Sequence, residues 1–187
     1  MRPQRRIVAQ RRRLFVGCEG ESEQAYVALL SRLAEAQRLS VHLDAVLLRP
    51  GGGDPLGLVE LAVKKAAERE RKHGRFDARF VLLDNDRLGA APARDARIDP
   101  AIAQAHLQLI WQHTCHEALL LRHLEGCTQL RPASTQLAIA ALEARWPTYR
   151  KGMAAARLAD RIELAAIERV SQVEPGLAAL LDVAGFL

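Results

Sequence analysis

Leu14-Phe15-Val16-Gly17-Cys18-Glu19-Gly20-Glu21-Ser22-Glu23 is the stretch that decides the fold, because an apolar run of strand length ends abruptly in carboxylates. Phe80-Val81-Leu82-Leu83-Asp84-Asn85-Asp86 repeats the pattern. Buried strands of a parallel sheet read as continuous apolar runs and carry side chains to the carboxyl edge of the sheet. Acids from two strands that meet at one edge repel unless a cation neutralises them. Hard oxygen ligands on a partly open site suit Mg²⁺ or Mn²⁺. Divalent-metal phosphate chemistry is therefore the first expectation.

Working outward, a strand over Arg13–Cys18 is followed by a helix from Ser22 to Arg38, with Ser22 as N-cap and Glu23 near the positive helix end. Tyr26, Leu29, Leu30 and Leu33 mark its buried face. Val41–Leu48 reads as a second strand and Pro50–Pro55 as a loop. Leu58–Lys72 then reads as an amphipathic helix and Phe80–Leu83 as a third strand. This alternation predicts parallel pairing with right-handed crossovers. Gly89–Asp99 reads as an irregular connection, and Pro100 opens a helix to His106. Leu107–Trp111 is the expected fourth strand, and further helices are expected over Glu117–Leu124, Ser134–Arg145, Met153–Val170 and Leu177–Val183. The division predicted is a basic arm over 1–12, an α/β core over 13–128 and a helical C-terminal extension over 129–187 packed on that core.

The chain has 187 residues and a formal charge of +5. The basic excess is partly local: Arg2, Arg5, Arg6, Arg11, Arg12 and Arg13 precede or open the first strand. Such an arm either touches nucleic-acid phosphates or is a solvated terminus. No apolar stretch of signal-peptide or membrane-spanning length is present. Cys18, Cys115 and Cys127 are too few and too odd in number for a disulfide framework, so a cytoplasmic protein with reduced thiols is expected.

Neither Gly-x-Gly-x-x-Gly nor a Walker A sequence occurs, which disfavours nucleotide binding of those kinds. His113-Thr114-Cys115-His116-Glu117, with His123 and Cys127 beyond, lacks the spacing of a zinc finger, and the zincin pattern would need His where Leu120 stands. Glu117 opens an otherwise apolar helical turn, either as an N-terminal helix partner or as a further acid in the site. Tyr149-Arg150-Lys151 reads either as a surface turn or as a cationic clamp on phosphate.

Together these blocks resemble the RloB-like family. Cys18-Glu19-Gly20-Glu21-Ser22-Glu23-Gln24-Ala25-Tyr26 is similar to its Cys-Glu-Gly-x-x-Glu-x-x-Tyr opening. The Asp84-Asn85-Asp86 strand end is similar to its Asp-x-Asp. Cys115–His123 resembles its third block and Tyr149-Arg150-Lys151 its later Tyr-x-Lys element. The blocks keep family order over residues 13–160. His113-Thr114 stands where Asn-Pro is usual, His116 replaces Phe and Leu119 replaces Trp.

The resemblance implies a Toprim-like fold, a mainly parallel sheet flanked by helices, in which one Glu and an Asp-x-Asp hold Mg²⁺ for phosphodiester chemistry. It also implies a setting in bacterial phage defence by abortive infection, beside an ATPase partner. On the combined reading Glu19, Asp84 and Asp86 bind Mg²⁺ or Mn²⁺, Glu23 is a further ligand or general base, and Glu117 and Lys151 complete the catalytic set. Arg11, Arg12, Arg13, Arg150 and Lys151 are the expected nucleic-acid contacts. The expected activity is a metal-dependent nuclease. Its rivals are a non-catalytic module binding nucleic acid or the ATPase, and a sensor of a phosphorylated ligand. DNA versus RNA and the oligomeric state are left open.

Overall fold

The computed structural model describes residues 11–49 and 54–187. The Arg2, Arg5 and Arg6 part of the basic arm, and most of the Pro50–Pro55 loop, lie outside the described residues. Four strands form one parallel sheet: β1 (Arg12–Cys18), β2 (Val41–Leu47), β3 (Ala78–Asp84) and β4 (Gln108–Gln112), in the order β2-β1-β3-β4. The register pairs Cys18 with Leu47 on one side and Leu82 on the other.

Two-residue alternation sorts the strands between two cores. Leu14, Val16, Phe80, Leu82 and Ile110 face one apolar layer, made with α1 (Glu21–Ala36), α5 (His116–His123) and the C-terminal helices. Phe15, Val46, Val81 and Leu83 face the other, covered by α2 (Pro55–His73) and α4 (Ile98–Ala105). Sheet strands covered on both faces are the physical reason the runs are apolar throughout.

Helix starts differ from the expected ones in instructive ways. The N-cap of α1 is Gly20, not Ser22. Glu23 reaches back so that its Oε2 accepts from the Gly20 N–H at 3.0 Å, one half of a capping box. Asp54 caps α2 by accepting from the Gly57 N–H at 3.2 Å, and Pro55 stands in its first turn. The Gly89–Asp99 connection contains a short helix, α3 (Pro92–Asp95), and α4 begins two residues ahead of Pro100.

The helix expected over Met153–Val170 is two helices, α7 (Ala155–Leu158) and α8 (Leu164–Ser171). Leu158, Ile162, Ile167 and Val170 reach the same core either way, so apolar spacing does not report the break. The rest of the C-terminal part is α6 (Thr135–Arg145) and α9 (Pro175–Ala184). Gly176 lets α9 lie directly on β4, since a Cβ there would sit 3.1 Å from the Ile110 Cα. Residues from both sides of position 128 therefore share one core. No helix among the described residues is long and apolar enough to cross a membrane.

The last turn of α5 carries a fully buried cation, Arg122. Its Nε stands 3.1 Å from Glu174 Oε1 at the start of α9, and Arg131 reaches the same oxygen at 3.0 Å. Removing one member of a buried pair leaves the other charge uncompensated. Glu174→Ala is therefore expected to destabilise the fold by about 3–5 kcal/mol, read as a lower denaturant midpoint; an unchanged midpoint would refute the role given to the pair.

Candidate active site

The topology puts β1 beside β3, so their carboxyl ends bring Glu19 and Asp84 together. The Asp84 N–H donates to Glu19 Oε2 at 3.3 Å. The first turns of α1 and α5 close two further sides, contributing Ser22, Glu23, His116 and Glu117. The fourth side is the loop around Lys151, latched where the Gly152 N–H donates to Ser22 Oγ at 3.1 Å. Ser22, expected as a cap, thus ties this loop to the site instead. The result is a cleft of about 300 Å³ in which five carboxylates outnumber the cations Arg49 and Lys151.

The cleft strains its own charges. Asp84 is pushed up from 3.8 to about 8, first by burial and then by Glu23, Glu19, Asp86 and Glu117. Its Oδ1 is buried with no hydrogen-bond partner among the described residues. Burial also raises Glu19, against the Asp84 N–H and Arg87, which lower it. Glu23 is raised by burial and by Glu117, and lowered by its backbone bonds and Lys151.

Asp86, expected to bind the metal with Asp84, stands in a different setting from it. β3 ends at Asp84, so the two-residue alternation stops there. Asp86 is exposed in the following turn, where Thr135 Oγ1 donates to its Oδ2 at 3.4 Å. Its charge still bears on Glu19 and Asp84. Glu117 is buried and accepts from the Tyr149 hydroxyl at 3.4 Å. Lys151 Nζ, on a largely exposed side chain, lies 3.8 Å from the same carboxylate oxygen.

The expected arginines are not gathered here. Arg13 donates to the His73 and Gly74 carbonyls and stacks over Phe76 at the amino end of β1. It lies roughly 20 Å along the strand from Glu19. Arg11 and Arg12 are exposed at that same far end. Arg150 turns to the carbonyls of Pro147 and Tyr149 in its own loop. A cation not singled out from the sequence, Arg49 at the end of β2, does line the cleft and pairs with Glu21. Its place past a strand end, next to the glycine-rich stretch, is the signal that marks it.

Two histidines of the third block are structural. His123 Nδ1 lies 2.8 Å from the Leu119 carbonyl, which only accepts, so that nitrogen carries the proton. Its Nε2 then accepts from the Tyr26 hydroxyl at 3.0 Å, leaving no lone pair for zinc. His116 Nδ1 is 2.8 Å from the Gln112 amide nitrogen and 3.9 Å from Glu23 Oε1. Burial holds His116 down at about 4, so it adds polarity to the cleft without adding charge at neutral pH.

The donors fit a hard cation in kind, being all carboxylate oxygens, and Asp84 Oδ1 is an orphaned acceptor. As the side chains stand, no three His, Cys, Asp or Glu groups among the described residues enclose an ion. Glu19 and Asp84 are the two of these acids that meet at the strand ends, through the Asp84 N–H.

A stability consequence follows from the raised carboxyls. Asp84 holds its proton in the folded state well above 3.8, so folding binds protons and is favoured at low pH. For metal-free protein this contribution is complete below about 4 and is lost as pH rises through about 8. Asp84→Asn should raise the melting temperature by a few degrees at the alkaline end in chelator. It should also remove any stabilisation by Mg²⁺ or Mn²⁺. A variant that melts lower in chelator would show that repulsion is not what the cleft stores.

Comparison with known proteins bears on the whole of this arrangement. No curated protein and no solved structure matches the chain. A family model described as RloB-like protein matches residues 14–176, from the first residues of β1 to the start of α9. That span takes in every residue of the cleft, and the chain belongs to the RloB-like family.

Proposed function

We propose that this protein is a metal-dependent nuclease of the RloB-like type, cleaving phosphodiester bonds in bacterial phage defence. The observation that carries the reading is Asp84, a carboxylate with a buried, unpartnered oxygen in a cleft of like charges. Such a group is stabilised by a proton or a divalent cation, and the oxygen donor set selects Mg²⁺ or Mn²⁺. Glu19 and Asp84 would hold the ion, with Asp86 as the third ligand after release from Thr135. When bound, the ion supplies Lewis-acid polarisation of the phosphodiester and a lowered pKa for water.

The chain's own groups divide the remaining work. Glu23, one helical turn from Glu19, takes the proton from the attacking water. Lys151 donates to a non-bridging phosphate oxygen, as a charge-assisted bond stronger than a neutral one. Glu117 holds Lys151 and Tyr149 at the mouth. The Toprim-like character of the fold, a cytoplasmic setting and an ATPase partner belong to this proposal through the family resemblance. A second reading, binding of a phosphorylated ligand without cleavage, is favoured by one observation: Asp86 is turned to Thr135 rather than into the cleft.

The test is metal-dependent cleavage of a mixed DNA and RNA panel. Asp84→Ala should lower the rate by about 100-fold or more, with the fold retained by circular dichroism. Lys151→Ala should weaken productive binding by about tenfold. Wild-type protein that binds phosphate but cleaves nothing would decide for the second reading, and full activity of Asp84→Ala would refute the site.

A further inference from the structure

The open side of β2 carries a second charged feature, of opposite sign to the cleft. β2 is the terminal strand, with β1 as its only partner among the described residues. The Leu48 N–H bonds to Cys18 and the Ser40 carbonyl to Arg12, so even-numbered backbone groups face β1. Leu43, Ala45 and Leu47 therefore turn their N–H and C=O groups outward. Gln24 of α1 covers one of them, donating to the Ala45 carbonyl at 3.3 Å.

Along this edge runs a groove of about 520 Å³, walled by α2 through Lys65, Arg69, Lys72 and His73. Lys65, Arg69 and Lys72 stand at i, i+4 and i+7, which aligns them on one helix face over about 10 Å. Of these four, Lys72 and His73 belong to the last turn of α2, so compensation of the helix dipole does not account for Lys65 and Arg69. Glu68 is the one acid in the lining, and Arg69 is paired with Asp44. Neither Lys65 nor Lys72 takes part in an ion pair among the described residues.

The groove and the cleft are neighbours in both walls. Gln24 of the groove follows Glu21 of the cleft on α1, and Leu47 of the groove precedes Arg49 of the cleft past β2. We infer that this edge is a track for one strand of a polynucleotide, running from the amino end of the sheet toward the cleft. Lys65 and Lys72 neutralise successive phosphates, and the outward N–H groups of β2 offer further donors. The inference rests on the phosphodiester reading of the cleft for its direction, but binding in the groove needs no metal and no cleavage.

Fluorescence anisotropy of a short labelled single-stranded oligonucleotide in chelator tests it, titrated over salt. Lys65→Gln/Lys72→Gln should weaken binding about tenfold or more and flatten the slope of log K against log salt. The expected change is about 1.4, from roughly 0.7 per phosphate. Lys64→Gln/Arg71→Gln, the same charge change on the neighbouring face, should bind as wild type. Equal loss in both pairs, or no loss in the first, overturns the track. So does displacement of the oligonucleotide by an acidic peptide at lower concentration, which would make the edge a peptide-strand site. Loss in the first pair alone, with no cleavage under any metal, leaves the track standing and the nuclease reading refuted.

Discussion

The contact on which the arrangement turns is the 3.3 Å bond from the Asp84 N–H to the Glu19 carboxylate. It joins the ends of two parallel strands just past their last paired residues, Cys18 and Leu82. The bond stabilises Glu19 as an anion while Asp84, on the same edge, is denied any partner for Oδ1. Parallel pairing forces the two chain ends to the same side, and the covered faces leave them nowhere drier or wetter to go. Glu23 is tied into the same knot, because the carboxylate that caps α1 is also one of those raising Asp84. Relaxing the repulsion by moving Glu23 would uncap the helix that covers the sheet.

Much of this was legible in the sequence because a strand buried on both faces reads as an unbroken apolar run. The strands at Leu14–Cys18 and Phe80–Leu83 are apolar on both faces, which marks them as central, and the acids that end them are adjacent in the chain to the last buried residue. The fate of Asp86 was not legible. Whether a strand runs one residue further or turns is settled by the register with β4 and by Thr135 on a helix nearly fifty residues away. Ser22 is similar: its residue type favours a cap, yet the extended backbone of Gly20 takes the cap position and frees the hydroxyl for Gly152. The break after Leu158 left no trace because the apolar spacing suits one helix or two.

The third block shows how a family pattern and a local environment divide the work. His116 occupies a position that is apolar in the resembling pattern, and it is held there buried, edge-on to Tyr26 and neutral at ordinary pH. The carboxylate of its neighbour Glu117 lies in reach of Lys151 and Tyr149. One helical turn thus presents a neutral ring to the interior and a carboxylate to the mouth. Arg122, one turn on, is anchored through Glu174 to α9, so the orientation of the turn is set by the C-terminal helices. The C-terminal helices therefore anchor the helix that carries Glu117.

Charge is spread unevenly along the strands. Carboxylates collect at the carboxyl edge, while Arg11, Arg12 and Lys72 lie toward the amino edge, and the net charge is +5. A polyanion is drawn to such a surface by the cationic side and repelled by the cleft itself. On the proposed reading, attraction and chemistry are separate events: the strand is held before a divalent ion is bound, and only the ion reverses the sign of the cleft. On that reading the protein holds nucleic acid without cutting it until the ion binds, and the carboxylate repulsion that costs stability in the metal-free state is what would make the site depend on the ion.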